Sequence, residues 1–175
     1  IIIVTVLAIV TFKYVKDNDI DIKEYIEESA TMKGTIGDTL SSDDVKITLT
    51  DALIYSRIEG EAFTDTPAEG KEYLVFFFNV ENIDDENNFV SIHNFTGYVD
   101  DTLVASKILI NNVDNVQYLS ADLTPGKKAR GYVAYEVDTN WKQFDIHYKE
   151  NSFDYNDSMI FTVVNEENNQ NNNNA

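Results

Sequence analysis

Few residues in this chain could do chemistry, and most of those are acidic. It has two histidines, His93 and His147. His147 follows Asp145 by two residues, a spacing that puts both on one face of a strand, where a carboxylate can orient an imidazole or begin a metal site. A working site needs further converging groups, so the pair reads more simply as strand surface. Asp84, Asp85 and Glu86 are consecutive in a loop after an apolar run. Such a loop can hold calcium at the edge of a sheet, or simply keep that edge solvated. Asp17, Asp19 and Asp21 alternate as in a calcium loop, with Glu28 in its closing position. Ile22, however, stands where the sharp turn demands glycine, so an acidic stalk is the preferred reading.

Tyr98, Tyr118, Tyr132, Tyr135, Tyr148 and Tyr155 offer rings for stacking on a glycan. In strands such rings more often serve as half-buried packing with the hydroxyl at the rim. Trp141 follows a turn and is expected to lid one end of the domain. Asn94 and Asn156 head glycosylation sequons. Glycosidase chemistry needs two carboxylates at a defined separation, and 31 acidic residues leave no pair to select. The sequence contains no G-x-S-x-G elbow, P-loop, H-E-x-x-H motif or Gly-rich dinucleotide turn. It contains no cysteine, which removes thiol catalysis, Cys-ligated zinc and iron–sulfur clusters. No catalytic, cofactor-binding or metal residue is assigned, no cofactor is expected, and the chain is not expected to be an enzyme.

The charge narrows the partners. Thirteen basic residues against 31 acidic ones leave a net charge of −18 over 175 residues. Such a surface repels nucleic acid, whose binding needs a basic stripe to displace counterions, and it disfavours broad contact with anionic lipid. The densest basic cluster, Lys127, Lys128 and Arg130, reads as a solvated hairpin end. A hydrophobic content of 43% is enough for a core and argues against wholesale disorder.

Residues 1–12 are uncharged and apolar, fewer than the roughly 20 needed to span a bilayer. Because the chain opens inside this run without methionine, residues 1–16 are expected to be the second half of a signal-anchor helix. The stretch from Val10 to Tyr14 lacks the small residues of a cleavage site. Residues 17–33 form the acidic stalk. From Gly34 the period changes to two. Val45, Ile47 and Leu49 alternate with polar residues, and the phase then slips to Ala52 and Ile54, which predicts a bulge near Asp51. Residues 72–80, EYLVFFFNV, are apolar on both faces and predict a central strand. Strands are also expected over 89–99, 102–108, 116–119, 129–137, 144–149 and 159–164. Asp100 and Asp101 turn between two of them, and Thr124-Pro125-Gly126-Lys127 has the chemistry of a type II turn. Residues 166–175, nearly all Asn, Gln and Glu, read as a disordered tail. The expectation is an all-β, antiparallel sandwich of eight or nine strands over residues 34–165.

The order of these motifs carries a resemblance. Gly37-Asp38-Thr39-Leu40 opens the domain, and Pro67-Ala68-Glu69-Gly70-Lys71-Glu72-Tyr73-Leu74-Val75 leads into the central strand. Leu123-Thr124-Pro125-Gly126-Lys127 precedes Gly131-Tyr132-Val133-Ala134-Tyr135-Glu136-Val137. Phe144-Asp145-Ile146-His147-Tyr148 and Ile160-Phe161-Thr162-Val163 complete the series. The chain resembles a family of uncharacterised immunoglobulin-like domains of Gram-positive bacteria, similar to a secreted immunogenic sandwich protein of mycobacteria. That resemblance implies an immunoglobulin-like fold placed outside the cell membrane, behind a lipoprotein signal or a single helix. It implies no catalytic residues. Some members carry a telomeric repeat-binding label, which the acidic charge opposes. The expected function is a non-enzymatic, membrane-tethered extracytoplasmic module that binds an envelope protein or glycan, or acts as a spacer. The alternative is a module binding calcium or a glycan through Asp84, Asp85, Glu86 and the tyrosines.

Overall fold

The computed structural model describes residues 31–150 and 159–166. The apolar segment 1–16, most of the acidic stalk and most of the Asn-rich tail lie outside the described residues, as do Tyr155 and Asn156. The described part is an all-β sandwich. One five-stranded sheet runs in the order β1 (Met32–Gly34), β14 (Met159–Val164), β13 (Gln143–Tyr148), β8 (Phe95–Val99), β9 (Thr102–Val104). The other runs β10 (Ser106–Lys107), β12 (Lys128–Asp138), β6 (Lys71–Asn82), β3 (Val45–Tyr55), β2 (Thr39–Ser41). Two-stranded ribbons are made by β4 (Ile58–Glu59) with β5 (Thr64–Asp65), and by β7 (Asn88–Ser91) with β11 (Ser120–Leu123). The described residues thus hold fourteen strands rather than eight or nine, because eight have four or more residues and the others are two- or three-residue pieces. Met32 and Lys33, read from sequence as stalk, are in β1.

The central strand is β6, paired antiparallel with β12 from Lys71 to Glu81 and with β3 from Tyr73 to Asn82. Its residues Tyr73 to Phe78 are all buried. Leu74, Phe76 and Phe78 face the other sheet. There Phe76 meets Phe144 with ring centroids 4.8 Å apart, and Phe78 meets Phe95 at 4.7 Å. Each such ring contributes about 2 kcal/mol by burial. Gly97 makes room for this aromatic layer, because a Cβ there would stand 2.5 Å from the Tyr135 ring and 2.6 Å from that of Phe144.

Several local expectations hold. The register of β3 against β6 shifts between Leu49 and Asp51, so the bulge lies at Thr50, whose hydroxyl donates to the Phe77 carbonyl at 3.0 Å. Gly126 has φ +72°, and the Lys127 amide donates to the Thr124 carbonyl at 3.0 Å, closing the type II turn. In β13, Phe144, Ile146 and Tyr148 are buried and the intervening residues face outward. Asp100 and Asp101, at φ 44° and 68°, form a two-residue turn with both centres left-handed, as tight hairpins prefer.

Three expected strands are different. Residues 89–99 break at the 3-10 turn Ile92–Asn94. Ser91 and Asn94 cap that turn reciprocally, and the Asn94 amide donates to the carbonyls of Lys149 and Glu150. Residues 102–108 break at Ala105, where the chain leaves one sheet at β9 and joins the other at β10. Residues 116–119 are not a regular strand. Asp114 and Asn115, both at positive φ, turn the chain between Val113 and Val116, and the strand that follows is β11. In each case a side-chain cap, a change of sheet or a tight turn overrides a local pattern that reads as continuous.

Tyr135 is wholly buried, and its hydroxyl has no hydrogen-bond partner among the described residues. Burial pushes its pKa up, so the fold excludes the phenolate. Above the unfolded tyrosine's pKa of about 10, stability therefore falls as pH rises. Tyr135→Phe should keep stability or raise it by about 1 kcal/mol in neutral urea unfolding, and should move the alkaline unfolding midpoint upward. A clear loss of stability at neutral pH would contradict this.

Candidate functional site

The outer face of the second sheet is also apolar. Tyr73, Val75 and Phe77 of β6, with Tyr132 and Ala134 of β12, form a second core there under Ile58, Leu109, Val113 and Val116. The cover is a layer of irregular chain from two separate stretches, one holding β4 and β5 and the other following β10. Buried Asp65 staples them together. Its Oδ1 accepts from the Ile110 amide at 3.0 Å, and its Oδ2 accepts from the backbone and side-chain amides of Asn111 at 2.9 Å each. The Tyr132 hydroxyl donates to the Asn111 carbonyl at 3.2 Å. Burial, then the nearby Asp65 carboxylate, pushes the Tyr132 pKa up to about 12. Sequence reading passed over Asp65. The turn residues around it were visible, but its partners lie 45 and 46 residues away.

The chemistry-bearing residues named from sequence are placed as follows. Asp145 and His147 share the outer face of β13. The Asp145 carboxylate accepts from the Thr162 hydroxyl at 2.6 Å and from the Gln143 amide at 2.9 Å, while the His147 ring lies on Tyr98 at 4.7 Å. His93 is in the 3-10 turn. Asp84, Asp85 and Glu86 fold over buried Asn82. The Asn82 side chain donates to the carbonyls of Glu86 and Leu123 at 2.8 Å each and accepts from the Asp84 amide at 3.0 Å. Among the described residues no three His, Asp or Glu side chains converge as a metal ion would require. Tyr132, Tyr135 and Tyr148 are core, so they build no stacking platform; Tyr118 is exposed and Tyr98 half-buried. Trp141 is buried against the core and donates to Glu72 at 2.9 Å.

The basic cluster is more than a hairpin end. Cross-strand register puts Lys46, Glu81 and Lys128 in one row and Thr48, Asn79 and Arg130 in the next. Lys128 pairs with Glu81 at 3.0 Å, and the Arg130 guanidinium lies 5.9 Å from the Phe77 ring centroid.

The arrangement most suited to binding lies at the seam between the two sheets. The chain enters along β14, crosses at Gly37 and continues as β2 along β3. Backbone pairing in this crossing covers β14 at Met159 to Phe161, with the Thr35 hydroxyl donating to the Thr162 carbonyl at 3.0 Å, and β3 only as far as Leu49. Beyond it the seam is open among the described residues. Ile36, Ala52, Ile54, Leu74, Trp141 and Val163 line a groove there. Of the residues around this opening, Ile36 is 44%, Ile54 49% and Val164 48% exposed. The groove also includes Glu72 and Glu166 and no Lys or Arg.

The alternating strands, the proline-glycine turn and the order of both now stand beside a direct match. The family model for a domain of unknown function, DUF4352, matches residues 34–170. The chain belongs to this family. No curated protein matches it. Among solved structures, the DUF4352 chain is similar to ycdA, a candidate lipoprotein of Bacillus subtilis, at 16% identity and a TM-score of 0.59. That match covers 77% of this chain but only 41% of ycdA. The yjhA protein of Bacillus subtilis matches at 19% identity and a TM-score of 0.55, covering 70% of this chain and 86% of its own. MPT63, a secreted protein of Mycobacterium tuberculosis, matches at 13% and 0.55, covering 76% and 98%. At these identities the likeness is one of fold, and the mycobacterial sandwich expected from sequence is among the matches.

Asp65→Ala should cost about 2–3 kcal/mol, because it leaves the backbone N–H groups of Ile110 and Asn111 without their acceptor under the loop layer. Amide exchange at Ile110 and Asn111 should accelerate more than exchange in β6. Unchanged protection at those two amides would show that the layer holds without its staple.

Proposed function

We propose that this DUF4352 domain is a non-enzymatic, extracytoplasmic binding module, immunoglobulin-like in fold and tethered to the membrane through its apolar amino-terminal segment. The observation that carries the binding role is the open seam. Three exposed aliphatic residues, Ile36, Ile54 and Val164, gather around a groove beside a strand edge that no described strand pairs, in a chain that is otherwise strongly acidic. A monomeric domain ordinarily closes or charges such an edge. The immunoglobulin-like reading is supported by the first strand segment, which pairs parallel with β14 before crossing to the facing sheet. The extracytoplasmic reading is supported by two of the similar folds, which are described as a lipoprotein candidate and a secreted protein. The tether is supported by the uncharged run of residues 1–12. The partner belongs to the cell envelope, as protein or glycan.

Protease added to intact cells should remove the domain while a cytoplasmic marker survives; full protection of the domain would overturn the topology. Immobilised protein exposed to solubilised envelope should retain a specific component that withstands salt, identified by mass spectrometry for protein and sugar. An empty bait would overturn the binding role.

A further inference from the structure

We propose that the open seam takes an extended peptide segment of a partner protein, added as a strand along Thr50 to Tyr55 of β3, with apolar residues at alternate positions and basic flanks. This inference rests on the reading of the domain as a binding module and names the partner chemistry of that site.

The strand edge supplies the first part of the argument. Before the bulge, the Leu49 amide and carbonyl point away from β6, since they bond Asp38 and Gly37. The extra residue at Thr50 then resets the alternation, which puts the N–H and C=O of Ala52 and Ile54 on the outer edge. No strand among the described residues pairs with that edge. It offers the main-chain donors and acceptors that strand addition uses for affinity.

The side chains supply the second part. On β3 the Ala52 and Ile54 side chains face inward over Phe76 and Leu74, their register partners. Ile36 and Val163 close the groove from the crossing segment and from β14. A strand laid beside Ala52 and Ile54 would send every second side chain into this apolar slot and the others to solvent, giving a two-residue repeat.

Charge supplies the third part. Glu72 and Glu166 are the charged residues of the lining, and the whole chain carries −18. Lys or Arg at the ends of the incoming strand would be drawn to this rim, while a second copy of the chain would bring −18 of its own.

The test uses labelled peptides of the pattern Lys-Xaa-Thr-Xaa-Thr-Xaa-Lys, with Xaa Val, Ile, Leu or Phe, against the full chain held in detergent. Polarisation should show saturable binding by at least one peptide, and the same peptide with Glu at both ends should bind about tenfold more weakly. Ile54→Asp places a charge in the slot, and Ala52→Pro removes an outward N–H at a position where an edge strand tolerates proline. Each should weaken binding about tenfold without moving the melting temperature. Bound peptide should slow amide exchange at Ala52 and Ile54. The inference is overturned if no peptide of the set binds, if both variants bind like the parent, or if protection appears elsewhere. It is equally overturned if concentration alone protects those amides, since the edge would then pair with a second copy. Envelope capture with Ile54→Asp separates the two readings: an unchanged partner removes the groove and leaves the module, whereas no partner for either protein removes the module.

Discussion

Everything in this domain follows from a strand that is apolar on both faces. The six residues Tyr73 to Phe78 of β6 are buried in succession, so they point alternately to opposite sides and demand two covers. The facing sheet supplies one, through Phe144, Phe95 and Phe161. The other is not a second sheet or a helix but irregular chain, which can bury apolar side chains only if its backbone polar groups are also satisfied. Asp65 does this with both oxygens, tying Ile110 and Asn111 to the β4–β5 ribbon. That carboxylate is held by three hydrogen bonds from N–H donors.

The same division of labour leaves the seam half closed. A sandwich has two lateral edges, and each must be paired, covered or made unattractive to other strands. Here the crossing segment is shorter than the strands it flanks, and it ends against an eleven-residue β3 after covering only the first part of it. The rest of that edge keeps its aliphatic side chains. Lys107 and Glu136, 3.0 Å apart, mark the contrasting treatment of the other edge of the same sheet, where β10 and an ion pair occupy the rim.

Several polar residues in and beside the motifs that drew attention as chemistry serve as supports. Asp145 anchors Thr162 and Gln143, Asn82 underpins the acidic loop, and Asn94 ties a 3-10 turn to the end of β13. Their side chains bond to backbone or to near neighbours, which a type-and-spacing pattern cannot distinguish from a ligand set. The candidate groove drew no attention, because Ile36, Ile54 and Val163 are scattered along the chain and each looks like an ordinary strand residue. Phase slip at Asp51 was its one visible trace: the bulge that moves Ala52 and Ile54 to the inner face also turns their backbone groups outward.

What the sequence determined by itself is local in origin. Period-two alternation, the double-faced run of β6, the proline-glycine turn and the bulge depend on residues within a few positions of each other, and the order of those signals carried the family. Tertiary structure alone decided where nearly continuous patterns break. Ser91 with Asn94 and the change of sheet at Ala105 are choices imposed by what lies opposite, not by the residues in line. It also decided which edge stays open, because that depends on how far one strand runs past another from a different part of the chain. Such a difference in length exists only once the strands are paired, so no stretch of sequence contains it.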